Sequence, residues 1–444
     1  MAEPVANMNN AAPREDVLRA RDRLKVLHSR AEGRWFRLLW LLAGPGVLVM
    51  LGENDGPSML SYATTGVLYG IGFFIPFILL TFVMAYVVQE MTVRLGAATH
   101  RGHAELIFQR FGPFWGYFAM ADLVFGNLLT LVTEFIAIQA GGLYFGLSPI
   151  LSVLIGVLIV LSALALRRYA TWERGMLLLA AGNLLFIPAA LLAHPHPQAV
   201  LHALAFWGPL PGGFNNKFVV LMLANIGATV TPWMIFFQQS AVVDKGLTKA
   251  DVTQGRLDTA LGALIAAVVA IATLLAASPL YAAHVDARTL ATGADFATAL
   301  QPYLGHAGAA LFALGMTEAG LVAAMTISTS SSYALAETFS VGRSLNLNFR
   351  AGRWFYGAAI VSTLLAAGIV LIPGAPLLAL TLAVNVIATL LMAPALLFLL
   401  LLVNDRDIMG SLANGHLANI AGGAIIIGIS LAGAVYGVMT VFYP

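Results

Sequence analysis

The chain has 444 residues, 59% of them hydrophobic and only 10% charged, with a net charge of +2. A soluble domain carries about 25% charged residues, so the composition excludes an ordinary soluble protein and puts the chain in a bilayer. It contains no cysteine, which excludes a disulfide framework and a thiolate metal site.

Residues 1–37 are polar and of mixed charge. They lack the apolar core and cleavage site of a secretory signal, so they read as a retained cytoplasmic arm. Residues 14–30 are either an amphipathic helix or a solvated tail. Spanning a bilayer takes about 20 mostly apolar residues. Eleven such segments follow, at 38–69, 71–93, 113–144, 148–166, 175–193, 217–243, 257–280, 307–336, 354–372, 376–403 and 418–442. With the N-terminus inside, 21 of the 23 Lys and Arg residues fall in the arm or in loops on its side. Only Lys217 and Arg288 fall outside. The excess of positive charge on the cytoplasmic side gives a multi-pass plasma (inner) membrane protein with its N-terminus in the cytoplasm and its C-terminus outside.

No dinucleotide fingerprint, phosphate loop or serine-nucleophile elbow is present. An enzyme is not expected, and no cofactor or nucleic acid is called for. A transporter or channel is the default.

The first segment is interrupted by "GENDGPS" (52–58) and the sixth by "ANIGATVTPWM" (224–234). Each sets a Pro near mid-membrane, where it removes a backbone hydrogen bond and clashes with the preceding turn. In lipid, the freed carbonyls survive only where they line a protein cavity. Interrupted segments at corresponding places in two halves point to a transporter site. Being five segments apart, they divide the chain into two inverted five-helix repeats, 38–193 and 217–403, with 418–442 appended. Asp55 lies in the first break. An intramembrane carboxylate costs roughly 2.5–3.5 kcal/mol on insertion scales and is a functional site by default. No central Lys or Arg is available to pair with it, so a cation from solution is its natural partner.

Other polar residues have blander readings. Asp122 and Glu134 in the third segment are twelve apart, about 120° off a common face, and Glu134 reads as a polar packing residue. Glu318 either lines a vestibule or bonds across helices. Glu90 and Arg94 read as an interfacial ion pair worth about 0.3–0.5 kcal/mol. His194, His196 and His202 read as a surface loop, and His100 and His103 as interfacial. The stretch "TISTSSSY" (326–333) either lines an inner vestibule or bonds back to helix carbonyls.

The chain resembles the Nramp divalent-metal transporters from Gly44 to the last segment. The resemblance rests on "GPG" at the first helix, the acid at Asp55, "QEMTVRLGAATHRGHAELI" (89–107), "ANIGATVTPW" and "RLDTALG" (256–262). It implies an all-α, LeuT-like inverted-repeat fold with discontinuous helices 1 and 6 and alternating access. The departures carry the chemistry. The family's Asp-Pro-Gly-Asn is here Asp55-Gly56-Pro57-Ser58, and its Met-Pro-His is Thr231-Pro232-Trp233. Its second helix-six His is replaced by Gln238, and its helix-ten Gln by Asn385. Its helix-three Asp–Glu pair, part of the proton route, becomes Leu131 and Glu134.

Hard oxygen ligands suit Mg²⁺, Ca²⁺ and Mn²⁺, whereas sulfur and imidazole suit Fe, Zn and Cu. Mg²⁺ keeps several waters and binds through one or two carboxylates. The pattern is similar to the Nramp-related magnesium transporter branch. It implies uptake of partly hydrated Mg²⁺, and of Mn²⁺, without tight proton coupling. The metal-site residues expected are Asp55 as the central charge, Ser58 and Thr231 as hydroxyl partners, Ala228 as a carbonyl carried over from the family, and Asn385 and Gln238 as cavity lining. Glu53 is absent from the family motif. Either it faces the pathway as a second carboxylate, or it packs and must be paired or protonated. A monomer is expected. The rival readings are a proton-coupled Mn²⁺/Fe²⁺ importer, an organic-solute symporter of the same fold, which Asp55 opposes, and a channel.

Overall fold

The computed structural model describes residues 14–42, 44–210, 212–290, 292–374 and 377–442, and its regular structure is helical throughout. Residues 1–13 of the N-terminal arm lie outside that set. The rest of the arm forms α1 (Arg14–Ala31) and α2 (Trp35–Leu42). The first membrane segment is split into α3 (Pro45–Glu53) and α4 (Gly56–Tyr69). It is followed by α5 (Phe74–Thr99), the short α6 (His103–Phe111), α7 (Pro113–Tyr144) and α8 (Pro149–Leu164). Next, α9 (Tyr169–Ala180) passes through a 3₁₀ turn, Ala181–Leu185, into α10 (Phe186–Leu192). An outer helix, α11 (Pro197–Ala205), precedes the second split segment, α12 (Asn216–Gly227) and α13 (Pro232–Lys245). The chain continues with α14 (Val252–Ala282), α15 (Gly293–Thr338), α16 (Arg353–Val370), α17 (Leu377–Asn404), the single turn α18 (Arg406–Met409) and α19 (His416–Phe442).

Among the described residues, nine helices or helix pairs are long and apolar enough to cross a membrane. The expectation of eleven spans adds two that are not among the nine, the split segment, whose halves α3 and α4 have 9 and 14 residues, and the 16-residue α8. α15 is longer than the 307–336 expected because an outer piece precedes it. Gly305, at φ 69°, breaks the helix there, in the left-handed region that glycine tolerates without penalty.

The two split segments sit in the middle of the bundle. α14 packs along α3, α4 and α5, while α15 packs most extensively on α7 and also meets α13. Helices in lipid associate through close packing and buried polar contacts, because lipid tails are as apolar as the side chains. The α3–α14 crossing depends on this: a methyl on Gly46 would overlap the Thr259 backbone.

The loops rich in Lys and Arg gather at one end of the bundle and are tied together by ion pairs. Arg94 holds Glu90 at 2.9 Å, and Arg256 holds the same carboxylate at 2.7 Å. Arg110 meets Asp405 at 2.5 Å, and Lys245 meets Glu173 at 2.7 Å. Arg343 also pairs with Glu105.

Candidate functional site

Both breaks have the same local construction. α3 stops at Glu53, and Asp55 then takes an extended conformation (φ −84°, ψ 177°) as the N-cap of α4. Its carboxylate accepts the Ser58 N–H at 2.8 Å. Pro57 sits in the first turn of α4, where a missing N–H costs nothing. α12 likewise stops before Ala228, and Thr231 (φ −126°, ψ 155°) is the extended N-cap of α13, with Pro232 as its first residue. The result is two helix C-termini and two helix N-termini brought to the centre of the bundle.

Side chains cross between the breaks. Thr231 Oγ1 donates to Glu53 Oε2 at 2.7 Å. The Gly56 N–H donates to Glu134 Oε2 at 3.0 Å, so α7 reaches the first break. Glu134 is thereby brought next to Asp55, the residue before Gly56. Glu53, Asp55 and Glu134 are fully buried, at 0–1% exposure. None of them makes an ion pair with a Lys, Arg or His among the described residues. Asn54, between Glu53 and Asp55, donates to the Ala266 carbonyl of α14 at 2.9 Å.

Four buried oxygens near the first break have no hydrogen-bond partner among the described residues: Glu53 Oε1, Asn54 Oδ1, Ser58 Oγ and Glu134 Oε1. Leaving one buried polar group unsatisfied costs about 1–3 kcal/mol. Such a concentration marks a place built for a polar ligand. All four are hard oxygens, the donor type that suits Mg²⁺, Ca²⁺ and Mn²⁺. Among the described residues no three Asp, Glu or His side chains form a ready-made coordination sphere. An ion here would complete its shell with hydroxyl, backbone and water oxygens, as Mg²⁺ commonly does.

The site is closed on both sides. Toward α5, the Tyr62 hydroxyl donates to the Ala228 carbonyl at 2.8 Å and meets Thr229 Oγ1 at 3.0 Å, and Thr81 meets the same Thr229. Toward the charged end, Ser330 donates to the Trp233 carbonyl at 3.2 Å, and Gly52 packs near the Trp233 ring.

The expected site residues therefore divide. Asp55, Ser58, Glu53 and Thr231 converge on the two breaks. The Ala228 carbonyl is engaged by Tyr62. Asn385 donates to Ser61 Oγ at 2.9 Å, one turn along α4 from Ser58. Gln238 sits seven residues along α13 from Thr231, roughly 10 Å at 1.5 Å per residue. It donates to Thr259 on α14 at 3.0 Å, away from the breaks.

Glu134 corrects its sequence reading: it does not merely pack but hydrogen-bonds the first break and adjoins Asp55. Its position as an acid on the third segment, where the resembled family has a proton-route residue, was the signal. Tyr62 was also missed, and nothing in its local sequence marks it. Glu318 bonds across helices, accepting from Asn183 at 3.1 Å. In "TISTSSSY", Thr326, Ser328, Thr329 and Ser332 donate back to carbonyls of their own helix. Glu90 and Arg94 form their ion pair, while His103 is fully buried rather than interfacial.

The model of the family described as natural resistance-associated macrophage protein-like, Nramp, matches residues 46–439. The chain is 25% identical over 393 residues to the divalent metal cation transporter MntH of Pectobacterium carotovorum subsp. carotovorum (strain PC1), covering 87% of this chain and 91% of that protein. It is 26% identical over 401 residues to MntH of Yersinia enterocolitica, covering 88% and 93%. Its fold is similar to that of the Eremococcus coleocola manganese transporter, with a TM-score of 0.71 at 18% identity over 90% of this chain and 87% of that one. It is also similar to MhsT in complex with L-phenylalanine, with a TM-score of 0.58 at 13% identity over 89% and 97%. The fold is thus the LeuT-like one expected, and by a family match that spans most of its length the chain belongs to the Nramp family.

Proposed function

We propose that this protein is a secondary transporter that takes up divalent cations by alternating access, with partly hydrated Mg²⁺ as its main cargo and Mn²⁺ as a second. Nramp membership and the divalent-metal transporters among its relatives support the class of cargo. The observation that carries the ion preference is the set of unpartnered hard oxygens at the first break, with Thr231 rather than a thioether at the second. Asp55 is the central charge and Glu53 a second carboxylate, with Ser58 and Thr231 binding the ion or its waters. The Ala228 carbonyl and Asn385 border the cavity, and Gln238 acts from further along α13. The protein works as a monomer, without tight proton coupling. Its Lys- and Arg-rich end, with the N-terminus, faces the cytoplasm, and its C-terminus faces outside.

One observation favours a second reading, a proton-coupled Mn²⁺/Fe²⁺ importer. Glu134 lies against Asp55, so a helix-three carboxylate is in place to exchange protons with the site. Proteoliposomes loaded with a Mg²⁺-sensitive dye and a pH dye separate the two. Mg²⁺ entry that is lost in Asp55→Ala, with no matching acidification, is the expected result. Undiminished entry in that variant rejects the site. Acidification that tracks metal entry, with Fe²⁺ preferred, installs the second reading instead.

A further inference from the structure

The N-terminal helix α1 packs at the Lys- and Arg-rich end of the bundle, against the loop that joins α13 to α14. It is held there by an arginine clamp. Arg23 Nη1 reaches Asp251 Oδ2 at 2.5 Å, and Arg30 Nη2 reaches Asp251 Oδ1 at 2.7 Å. Arg23 also donates to Thr248 Oγ1 at 3.0 Å, and Arg30 to the Ala250 carbonyl at 3.3 Å. Asp251 is fully buried under these contacts. A third tie runs to another loop, where Arg168 donates to Asp22 at 3.3 Å.

The clamp is backed by apolar packing. Val26 of α1 is buried with Leu38 of α2 and with Val93, Ala97, Val242, Leu247 and Val252 from α5, α13, α14 and the loop between the last two. Beneath α1 lies a cavity of about 340 Å³ bounded by Arg23, Lys25, Tyr169, Glu173, Lys245 and Asn346, among others. The start of α9 and the end of α13 form its walls, and α1 closes one side.

The position of α1 in the chain gives the clamp its leverage. α1 leads through α2 directly into α3, the half-helix that ends at the first break. α3 is itself pinned at its start, where the Gly44 and Gly46 N–H groups donate to the Asp258 carboxylate at 3.0 and 2.7 Å. Arg174 of α9 adds a bond to the Trp40 carbonyl of α2 at 2.8 Å. On the alternating-access reading, opening the breaks to the cytoplasm moves α3 relative to α13 and α14. The Arg23 and Arg30 contacts tie the chain leading into α3 to the very loop that joins α13 to α14. Clamping and opening therefore oppose each other.

We infer that α1 is a cytoplasmic strap that holds the inner mouth closed, and that loosening the Arg23–Asp251–Arg30 clamp shifts the protein toward its inward-open state. This rests on the reading of the protein as an alternating-access transporter, but not on which metal it carries.

The test uses the full chain, which has no native cysteine. Ser330→Cys is a near-isosteric reporter, fully buried between the breaks and the inner mouth. Its labelling by a membrane-impermeant maleimide is followed in inside-out vesicles without any metal. Combining it with Arg23→Gln and Arg30→Gln leaves the bonds between Asp251 and Thr248 in place. Labelling is expected to rise at least about threefold, a shift in equilibrium worth roughly 0.6 kcal/mol. The charge-keeping pair Arg23→Lys and Arg30→Lys is expected to restore slow labelling, which separates release of the strap from general loosening. Unchanged or slower labelling in the glutamine pair overturns the inference, as does fast labelling in both pairs. Because no metal is present, failure here is distinct from failure of Mg²⁺ uptake.

Discussion

Thr231 donates its hydroxyl hydrogen to Glu53 across 2.7 Å, and with that bond the last residue of one half-helix meets the N-cap of another. The other Glu53 oxygen is buried without a partner. One oxygen thus fixes the carboxylate in place, and on the proposed reading the other faces the ion. A hydroxyl held this way keeps its lone pairs available to an ion or its water.

A double-mutant cycle tests whether the two residues act as a unit. Glu53→Gln keeps an acceptor for Thr231 but removes the charge, and Mg²⁺ affinity is expected to fall about tenfold or more, at least roughly 1.4 kcal/mol. Thr231→Val is nearly isosteric but leaves a second unpaired oxygen on Glu53, and a smaller loss of affinity is expected. Groups in direct contact show interaction energies of about 0.5–3 kcal/mol. Titration calorimetry of the two single variants and the double variant measures that term. Strict additivity would mean that the bond has no part in binding.

His103 gives a prediction about acid stability. Its ring is fully buried, 2.9 Å from Gln239 Oε1 and edge-on to Phe236. Burial pushes its pKa down to about 4, against smaller opposing effects from Gln239 and the Ala395 backbone. The folded protein therefore holds His103 neutral, while the unfolded chain takes up a proton near pH 6.5. Stability is expected to be lost as pH falls from about 6.5 and to level off near 4, by about 3 kcal/mol at most. Thermal melts of detergent-solubilised protein between pH 7 and 4.5 measure this slope. In His103→Gln that part of the slope should vanish. An unchanged slope would place the acid sensitivity elsewhere.

The breaks were legible in the sequence because Pro57 and Pro232 each adjoin a run of small and polar residues in the middle of an apolar segment, where a Pro withholds a backbone hydrogen bond. The pairing across them was not. Reading Glu53 and Asp55 as points on one continuous helix sets them roughly 200° apart. The chain leaves the helix at Asn54, so that angle does not apply, and Glu53 turns to Thr231, 178 residues away. Glu134 was ambiguous for a related reason. Its partner is a backbone N–H at Gly56 that exists only because the helix is broken there. Gln238 is the reverse case. A family position carries over to it in sequence, and in the structure its amide N–H donates to Thr259 while its Oε1 is buried without a partner.

The "RLDTALG" stretch has a mechanical role that its sequence alone did not reveal. Asp258 accepts the Gly44 and Gly46 N–H groups and so caps the start of α3 from a neighbouring helix. A carboxylate at a helix N-terminus satisfies free donors and favours the helix dipole. Asp258→Ala leaves both donors buried and unpaired, and a loss of about 2 kcal/mol or more is expected. Asp258→Asn keeps an acceptor and should lose about half as much. Thermal stability in detergent ranks the three proteins. An Ala variant as stable as the parent would show that α3 is held by packing alone.

On the proposed reading, Thr231 sets which ions the site prefers. A hydroxyl is a hard ligand that suits Mg²⁺, and a thioether is soft and suits later transition metals. Thr231→Met puts the soft donor at the N-cap of α13 and at the same time removes the bond to Glu53. Both changes act against Mg²⁺, one by replacing a hard oxygen and the other by freeing the carboxylate that the hydroxyl had oriented. The ratio of Cd²⁺ to Mg²⁺ transport is expected to rise at least about tenfold, with most of the change in Mg²⁺. Thr231→Ser, which keeps the hydroxyl, should hold the parent ratio. Competition assays in proteoliposomes, with Mg²⁺ and Cd²⁺ offered together, read the ratio directly. If Thr231→Met keeps the parent ratio, the selectivity resides in the carboxylates, and the hydroxyl serves only to position Glu53.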